Sequence, residues 1–406
     1  MKEKFYNNKI IIIFVAITMI FCSGHAWYTV RPSVFGLIYP LLLIFIIPVY
    51  NKFAKPINLH MAALLTMLLM IFSTFITGFG ASLSYYLPIF CTIICAFGIT
   101  LNYSFEKFVD IYLKVMTVVT VIGVIGYYLV MFTPLLQFLP EFTNVNDVVY
   151  KMGFIYNYIV EVPDRNCAMF WEPGLFATYL IISIVFESIF KKGKTNILRI
   201  VIFSIGIITA NSSAGFLLLF LSLWMLATKK QSAGTISFSY KMVFSTVFFM
   251  AGLVVLINFE DIITSTSLAD NEYFNKLLLD NVAESSRNKA ILHNLEIFAS
   301  APIFGAGAAA VFNNIEHVAD TSTSTFILSM FGIMGAFYTV FWLWGIFRQR
   351  EINLITKLIL ATIIIIIINK EPHLQMLFTW CLFFYLLKDN NTEENQTILT
   401  SDQINV

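Results

Sequence analysis

The strongest constraint on this chain is a succession of long apolar stretches with little charge inside them. A membrane crossing needs roughly 20 mostly apolar residues. Such stretches fall near 9–27, 33–50, 59–78, 83–101, 109–132, 169–190, 196–211, 214–228, 242–258, 324–346, 352–369 and 371–387. The fold class expected is therefore all-α, a polytopic integral membrane protein with about twelve transmembrane helices. Of 406 residues, 58% are hydrophobic and 12% charged, against about 45–50% and about 25% in soluble domains. A globule of this size needs more polar surface to stay in solution. These figures exclude a soluble enzyme, a disordered chain and a secreted disulfide scaffold. The net charge of +1 supplies no basic field for phosphate backbones, so no nucleic-acid partner is expected.

Cys22, Cys91, Cys95 and Cys381 lie inside apolar runs, and Cys167 lies near a loop. That is neither a disulfide framework nor a zinc pattern. No His/Asp/Glu spacing demands a metal, and no cofactor is expected. The first 24 residues imitate a secretory signal, with Lys2, Lys4 and Lys9 before an apolar stretch. Phe21 is too bulky for lipoprotein processing at Cys22, and more apolar runs follow, so the segment reads as a retained first span.

Lysine and arginine set the orientation. Alternate connections hold Lys52 and Lys55, Lys107, Lys191 to Lys194, Lys229, Lys230 and Lys241, Arg348 and Arg350, then Lys388. This side, with both termini, is expected to be cytoplasmic. The other side holds Arg31, Lys151, Arg165, Lys276, Arg287, Lys289 and Lys370. The pairs of stretches around Asn211-Ser212-Ser213 and around Lys370-Glu371-Pro372 read as hairpins with very short turns. Residues 1–388 form the transmembrane domain, and the polar tail 389–406 is expected to be disordered.

Two large extracytoplasmic loops are expected, at about 133–168 and 260–323. Loops this long are often functional. The first alternates Phe138, Phe142, Phe154, Tyr156 and Tyr158 with charged residues and suits the membrane interface. It ends in Arg165 to Phe176. Pro173 fits the first turn of a helix, and Glu172 would sit where the helix dipole stabilises a carboxylate. The sharper reading is a functional Glu172, because a carboxylate at the membrane edge is costly unless paired. Arg165 is its nearest candidate partner.

The second loop sets nine acidic residues, from Glu260 to Asp320, against Lys276, Arg287 and Lys289. Ile291, Leu295 and Phe298 share one face, which predicts a helix from about Arg287 to Ala299 on the membrane or the bundle. Pro302 stops it. Gly305 and Gly307 then form a turn whose glycines admit close approach. Arginine at a helix start opposes the dipole, and becomes sensible at an anion site. The plainer alternative is a salt bridge to Glu284. His317 lies between this turn and Asp320, and a histidine there suits general-base work. His25, His60 and His373 flank spans and read as interfacial. Asp110 and Lys114 are spaced to pair.

Three patches together resemble the O-antigen and capsule polymerase (Wzy-type) family, part of a superfamily with the O-antigen ligases. They are Arg165 to Phe176, then Asn211 to Gly215, then Arg287 with Pro302-Ile303-Phe304-Gly305-Ala306-Gly307 and the span containing Gly332 to Gly335. They cover under a quarter of the chain, and their order and outer placement are the specific feature. Relatives often have arginine where Ser213 stands. Ligases usually carry histidine where this chain has Thr321, and His317 lies four residues earlier, which favours a polymerase.

The resemblance implies a glycosyltransferase of the bacterial inner membrane that joins oligosaccharide repeat units carried on undecaprenyl diphosphate. Its partners would be those lipid-linked units, the bilayer, a chain-length regulator and a flippase. Arg165 and Arg287 would stabilise the departing diphosphate without a metal. Glu172 or His317 would orient or deprotonate the acceptor, and Pro173, Gly174, Gly305 and Gly307 would contact substrate. The alternatives are a ligase-like glycosyltransferase and a lipid-linked oligosaccharide flippase. A flippase should place charges inside the spans and show short loops.

Overall fold

The computed structural model describes residues 16–30, 65, 68, 71–78, 83–144, 147–228, 286–313 and 322–388. The stretches expected at 33–50 and 242–258, residues 260–285 and 314–321 of the second expected loop, and the tail 389–406 lie outside the described residues.

Where a predicted span is described, it is mainly helical, with residues 16–21 and 71–77 helical in the described parts of the first and third spans. The helices are α1 (Ala26–Val30), α2 (Leu83–Asn102), α3 (Phe105–Phe132), α4 (Pro173–Val185), α5 (Ile197–Ala210) and α6 (Ser213–Thr228). They continue as α7 (Ser286–Ser300), α8 (Gly307–Asn313), α9 (Thr323–Phe331), α10 (Ala336–Arg348), α11 (Leu354–Ile368) and α12 (Leu377–Leu387). Among the described residues, three helical stretches are long and apolar enough to cross a membrane: Phe105–Phe132, Pro173–Phe190 and Thr323–Arg348. Shorter apolar helices accompany them. Ser104, Asn196 and Asn353 cap α3, α5 and α11 by accepting from the backbone N–H three residues on, which satisfies donors a helix start leaves open. Asn211 closes α5 in the left-handed conformation, so the expected short turn into α6 is present.

The core has α4 and α12 at its centre, and every residue of both is buried. α4 packs against α5 and α6, and α12 against α2 and α10. Large rings fill the joint between α3, α4 and α12: Tyr112 stacks on Phe378 at 4.5 Å, and Phe108 meets Tyr385 at 4.6 Å. α3 leaves Val118, Val121, Ile125, Tyr128 and Phe132 exposed, an apolar face that suits lipid.

Charge collects at the lysine-rich end of the bundle. There Glu187, fully buried in a π turn (Phe186–Phe190), accepts from Lys191 at 2.6 Å, Arg199 at 3.2 Å and the Asn196 N–H at 2.7 Å. Lys192 meets Glu106 at 3.1 Å, and Lys388 donates to the Thr100 carbonyl. Asp110 and Lys114 form the expected local pair at 2.6 Å.

Three features depart from expectation. The all-α reading holds for the bundle but not for the loop 133–168, which folds into an antiparallel sheet of β1 (Glu141–Thr143), β2 (Val149–Met152) and β3 (Asn157–Ile159), in the order β1-β2-β3. Part of the segment read as interfacial is thus strand, and β2 has the period of a half-buried one. Tyr150 and Met152 point inward onto Ala26, Ile159 and Cys167 in a small second core. The span expected at 324–346 is broken, because Gly332–Gly335 forms a 3-10 turn between α9 and α10. His25 and His373 are wholly buried rather than interfacial. His25 Nε2 lies 3.0 Å from the Phe154 carbonyl, and His373 Nδ1 lies 2.9 Å from Thr379 Oγ1.

The predicted loop helix is α7, within a residue of the expected bounds, and it docks on α9. Its wholly buried Asn294 donates to Thr325 Oγ1 at 3.3 Å and accepts from Ser329.

Candidate functional site

The site is built at the bundle end opposite the lysine-rich one, where α4 begins. Glu172 holds the N-cap position in extended conformation and Pro173 the first helical position. Proline fits there because its missing N–H has no partner to lose. The Glu172 side chain makes no capping hydrogen bond, so the carboxylate is not spent on the helix end. The strand of chain before it is fixed from two sides. Trp171 N–H donates to the Gly24 carbonyl at 3.0 Å, and Tyr150 Oη donates to the Trp171 carbonyl at 2.7 Å.

Beneath Glu172 lies a cation that comes from the other half of the chain. The turn between α11 and α12 carries Lys370 and Glu371, which are 6% and 1% exposed. Lys370 Nζ donates to the Gly174 carbonyl at 3.1 Å and to Ser212 Oγ at 2.9 Å. Ser212 is placed by the left-handed Asn211 between α5 and α6. A methyl group set on Gly174 would lie 2.9 Å from Lys370 Nζ, 2.9 Å from Glu371 Oε1 and 3.2 Å from Glu172 Oε1. One buried ammonium and two carboxylates therefore surround a glycine. Glu172 is only partly buried, so the cluster meets the surface through it. Charges this far from water persist when they neutralise one another and are hydrogen-bonded.

The cluster continues into α9. Thr323 Oγ1 donates to the Glu371 carbonyl and accepts from the His373 N–H, both at 2.9 Å. Ser322 Oγ donates to Asn369 at 3.1 Å, and Thr325 is the partner of Asn294 on α7. The patches 172–174 and 211–212 thus meet directly at Lys370. The third is joined to them through α9.

The other residues singled out from the sequence are placed as follows. Arg165 is partly buried in the segment that leads to α4. Its neighbour Asn166 donates from its backbone N–H to the Thr209 carbonyl at 2.9 Å and from its side chain to Thr209 Oγ1 at 3.0 Å. Arg165 is thereby held beside the end of α5. Arg287 is the second residue of α7, and its side chain lies outside the described residues, as does His317. Gly305 and Gly307 do admit a close approach, but the approaching groups belong to the protein. Gly305 lies against the Met330–Phe331 backbone, and Gly307 against Thr77. Among the described residues no His, Cys, Asp and Glu side chains come together as a metal site.

Cys167 sits under the site and donates to the Asn157 carbonyl at 3.3 Å and to Asn157 Oδ1 at 3.1 Å. Burial pushes its thiol up to about 12. Only the thiolate reacts. Maleimide at pH 8 should therefore modify Cys167 in the folded protein about a thousandfold more slowly than an exposed cysteine. Peptide mass mapping after a timed pulse reads this, and modification at the exposed-cysteine rate would contradict the packing described.

Sequence reading passed over Lys370 and Glu371 as parts of a short turn, and gave Ser212 no role of its own within the second patch. One signal was present: Lys370 is a lysine on the side where lysine is disfavoured, set beside a glutamate between two apolar runs. No known family's sequence model matches the chain, and no curated protein matches it.

Proposed function

We propose that the chain is a Wzy-type polysaccharide polymerase, a membrane glycosyltransferase that joins undecaprenyl-diphosphate-linked repeat units on the outer face of a bacterial inner membrane. The observation that carries the reading is the meeting of Glu172, Gly174 and Ser212 around Lys370, with α9 joining the third patch of the resemblance to them. Segments far apart in sequence, picked out for their likeness to one family, contribute to one connected polar site at the end of an apolar bundle. An acceptor hydroxyl would attack the anomeric carbon of the growing chain's first sugar. The bond from that carbon to the diphosphate oxygen would break with its electron pair. Arg165 and Arg287 would stabilise the charge that develops there. Glu172 would take the hydroxyl proton, a role for which His317 is the alternative.

Deleting the gene in its host and running surface polysaccharide on a gel tests the reading. Loss of a polymerase leaves lipid A core capped by one repeat unit. Loss of a ligase leaves none attached, and loss of a flippase traps the units inside. The flippase gains one point in its favour, since Lys370 and Glu371 are charges buried among helices. Arg165→Ala and Arg287→Ala should each abolish long chains at normal protein abundance. Full-length polymer from both variants would exclude the two arginines from the site.

A further inference from the structure

We propose that Lys370 and Glu371 are positioning residues for Glu172, together setting the proton affinity of its carboxylate and aiming it to accept the proton of a sugar hydroxyl. The proposal rests on the polymerase reading and adds to it the groups that prepare the base. Lys370 is fixed rather than loose, since Nζ is tied to the Gly174 carbonyl and Ser212 Oγ. Glu371 is tied through its own backbone carbonyl to Thr323. Both reach the point on Gly174 that Glu172 Oε1 also reaches. An ammonium that close favours the charged form of a carboxylate, and a second carboxylate opposes it. The pair sets how readily Glu172 binds a proton, while Gly174 leaves the space that lets all three side chains converge.

Other titratable groups face the same place from each packed element. The loop before α4 brings Tyr150, Arg165 and Cys167, α4 itself brings Tyr179, and the α11–α12 turn brings His373. Burial, and to a lesser degree the negative charge of Glu172, pushes the Tyr150 hydroxyl and the Cys167 thiol upward. Both are then uncharged across the neutral range, which leaves Lys370, Glu371 and Arg165 as the charged groups among those named.

In the reaction, the hydroxyl oxygen bonds to the anomeric carbon as its proton passes to Glu172. The diphosphate leaves with the electrons of the broken bond, and the proton passes to solvent at the partly exposed carboxylate. Glu172 acts only while ionised, so turnover falls as the pH drops through its pKa. Lys370→Met removes the charge that favours ionisation and should move this acid limb up by at least about one pH unit. Glu371→Gln removes the opposing charge and should move it down by a similar amount. A purely structural role for either residue gives no shifts of opposite sign.

The experiment uses the full chain purified in detergent. Polymerisation of an undecaprenyl-diphosphate-linked oligosaccharide is followed against pH. In parallel, the Glu172 carboxyl band is titrated by infrared difference spectroscopy and identified by its absence in Glu172→Gln. Opposite shifts in the two variants, by both readouts, are the expected result. Unmoved midpoints, or shifts of the same sign, overturn the proposal. If Lys370→Met does not fold, the near-isosteric Glu371→Gln decides alone, and the absence of a downward shift overturns it. If the wild type makes no polymer yet the two variants show both infrared shifts, the charge arrangement stands and the polymerase reading is removed instead.

Discussion

Gly305→Ala and Gly332→Ala are each expected to destabilise the protein by about 3 kcal/mol or more, while Gly193→Ala costs about 1–2 kcal/mol. All three glycines have positive φ, at +74°, +62° and +91°. A side chain at any of them meets a backbone penalty, which is steep at Gly332, whose ψ of −151° lies in a region open essentially to glycine. They differ in what the new methyl touches. At Gly193 nothing lies within 4 Å. At Gly305 it overlaps the Met330 carbonyl and the Phe331 nitrogen, and at Gly332 it lies 2.5 Å from the Ile303 carbonyl and 2.6 Å from the Gly305 nitrogen. These neighbours are backbone, held by the bonds Ala306 N–H to Ser329 at 2.9 Å and Ile333 N–H to Pro302 at 2.7 Å. They have no rotamer into which to retreat. Two glycines therefore press one backbone against another where the span breaks. The fault would reach the site, because α9 begins at Thr323, which holds Glu371. Unfolding in detergent with all three variants side by side reads the difference. Equal losses at Gly305 and Gly193 would show that the contact carries no strain.

Much of the helical frame was legible because it depends on local pattern. The α5–α6 hairpin, the α11–α12 turn and the loop helix α7 follow from apolar period, caps and breakers within a few residues of each boundary. The sheet was missed for a physical reason. Its alternation of Tyr150 and Met152 about Lys151 is equally a half-buried strand and an interfacial loop until the partner strands are known. Gly332 was singled out within the third patch, but the break there was not, because the approach of Ile303 and Gly305 that explains it comes from outside the span. The site was half legible. Glu172 and Gly174 stood out as an odd way to begin a span, and the helix-dipole account of Glu172 seemed sufficient. Its carboxylate makes no capping bond. The groups it meets arrive from far along the chain. Lys370 is 196 residues from Gly174 and 158 from Ser212. No spacing rule joins positions so distant, and the lysine itself was visible only as an exception to the charge pattern of its side.

If the proposed polymerase reading holds, Gly174→Ala reduces activity by about a hundredfold or more while leaving the fold nearly intact, because it adds volume only where the three charged side chains converge. The two effects separate because they have different causes. In a helix, alanine is favoured over glycine by about 1 kcal/mol, which offsets part of any crowding. Gly174 has ordinary helical geometry, so the methyl meets no backbone penalty like that at Gly305. What it meets is the Lys370 ammonium and the Glu371 carboxylate at 2.9 Å, and Glu172 at 3.2 Å. These are ends of side chains and can swing away, which keeps the cost in stability within about 2 kcal/mol. Swinging away is the damage. A displacement of about 1 Å in a group that positions a reactant is enough for a hundredfold loss. It would also lengthen the 3.1 Å bond from Lys370 to the Gly174 carbonyl. The check is a pair of measurements on one preparation, thermal unfolding in detergent and the rate of chain extension. A variant that unfolds near the wild-type temperature and extends chains at the wild-type rate would place the reaction elsewhere, and one that cannot be recovered folded would make Gly174 a packing residue.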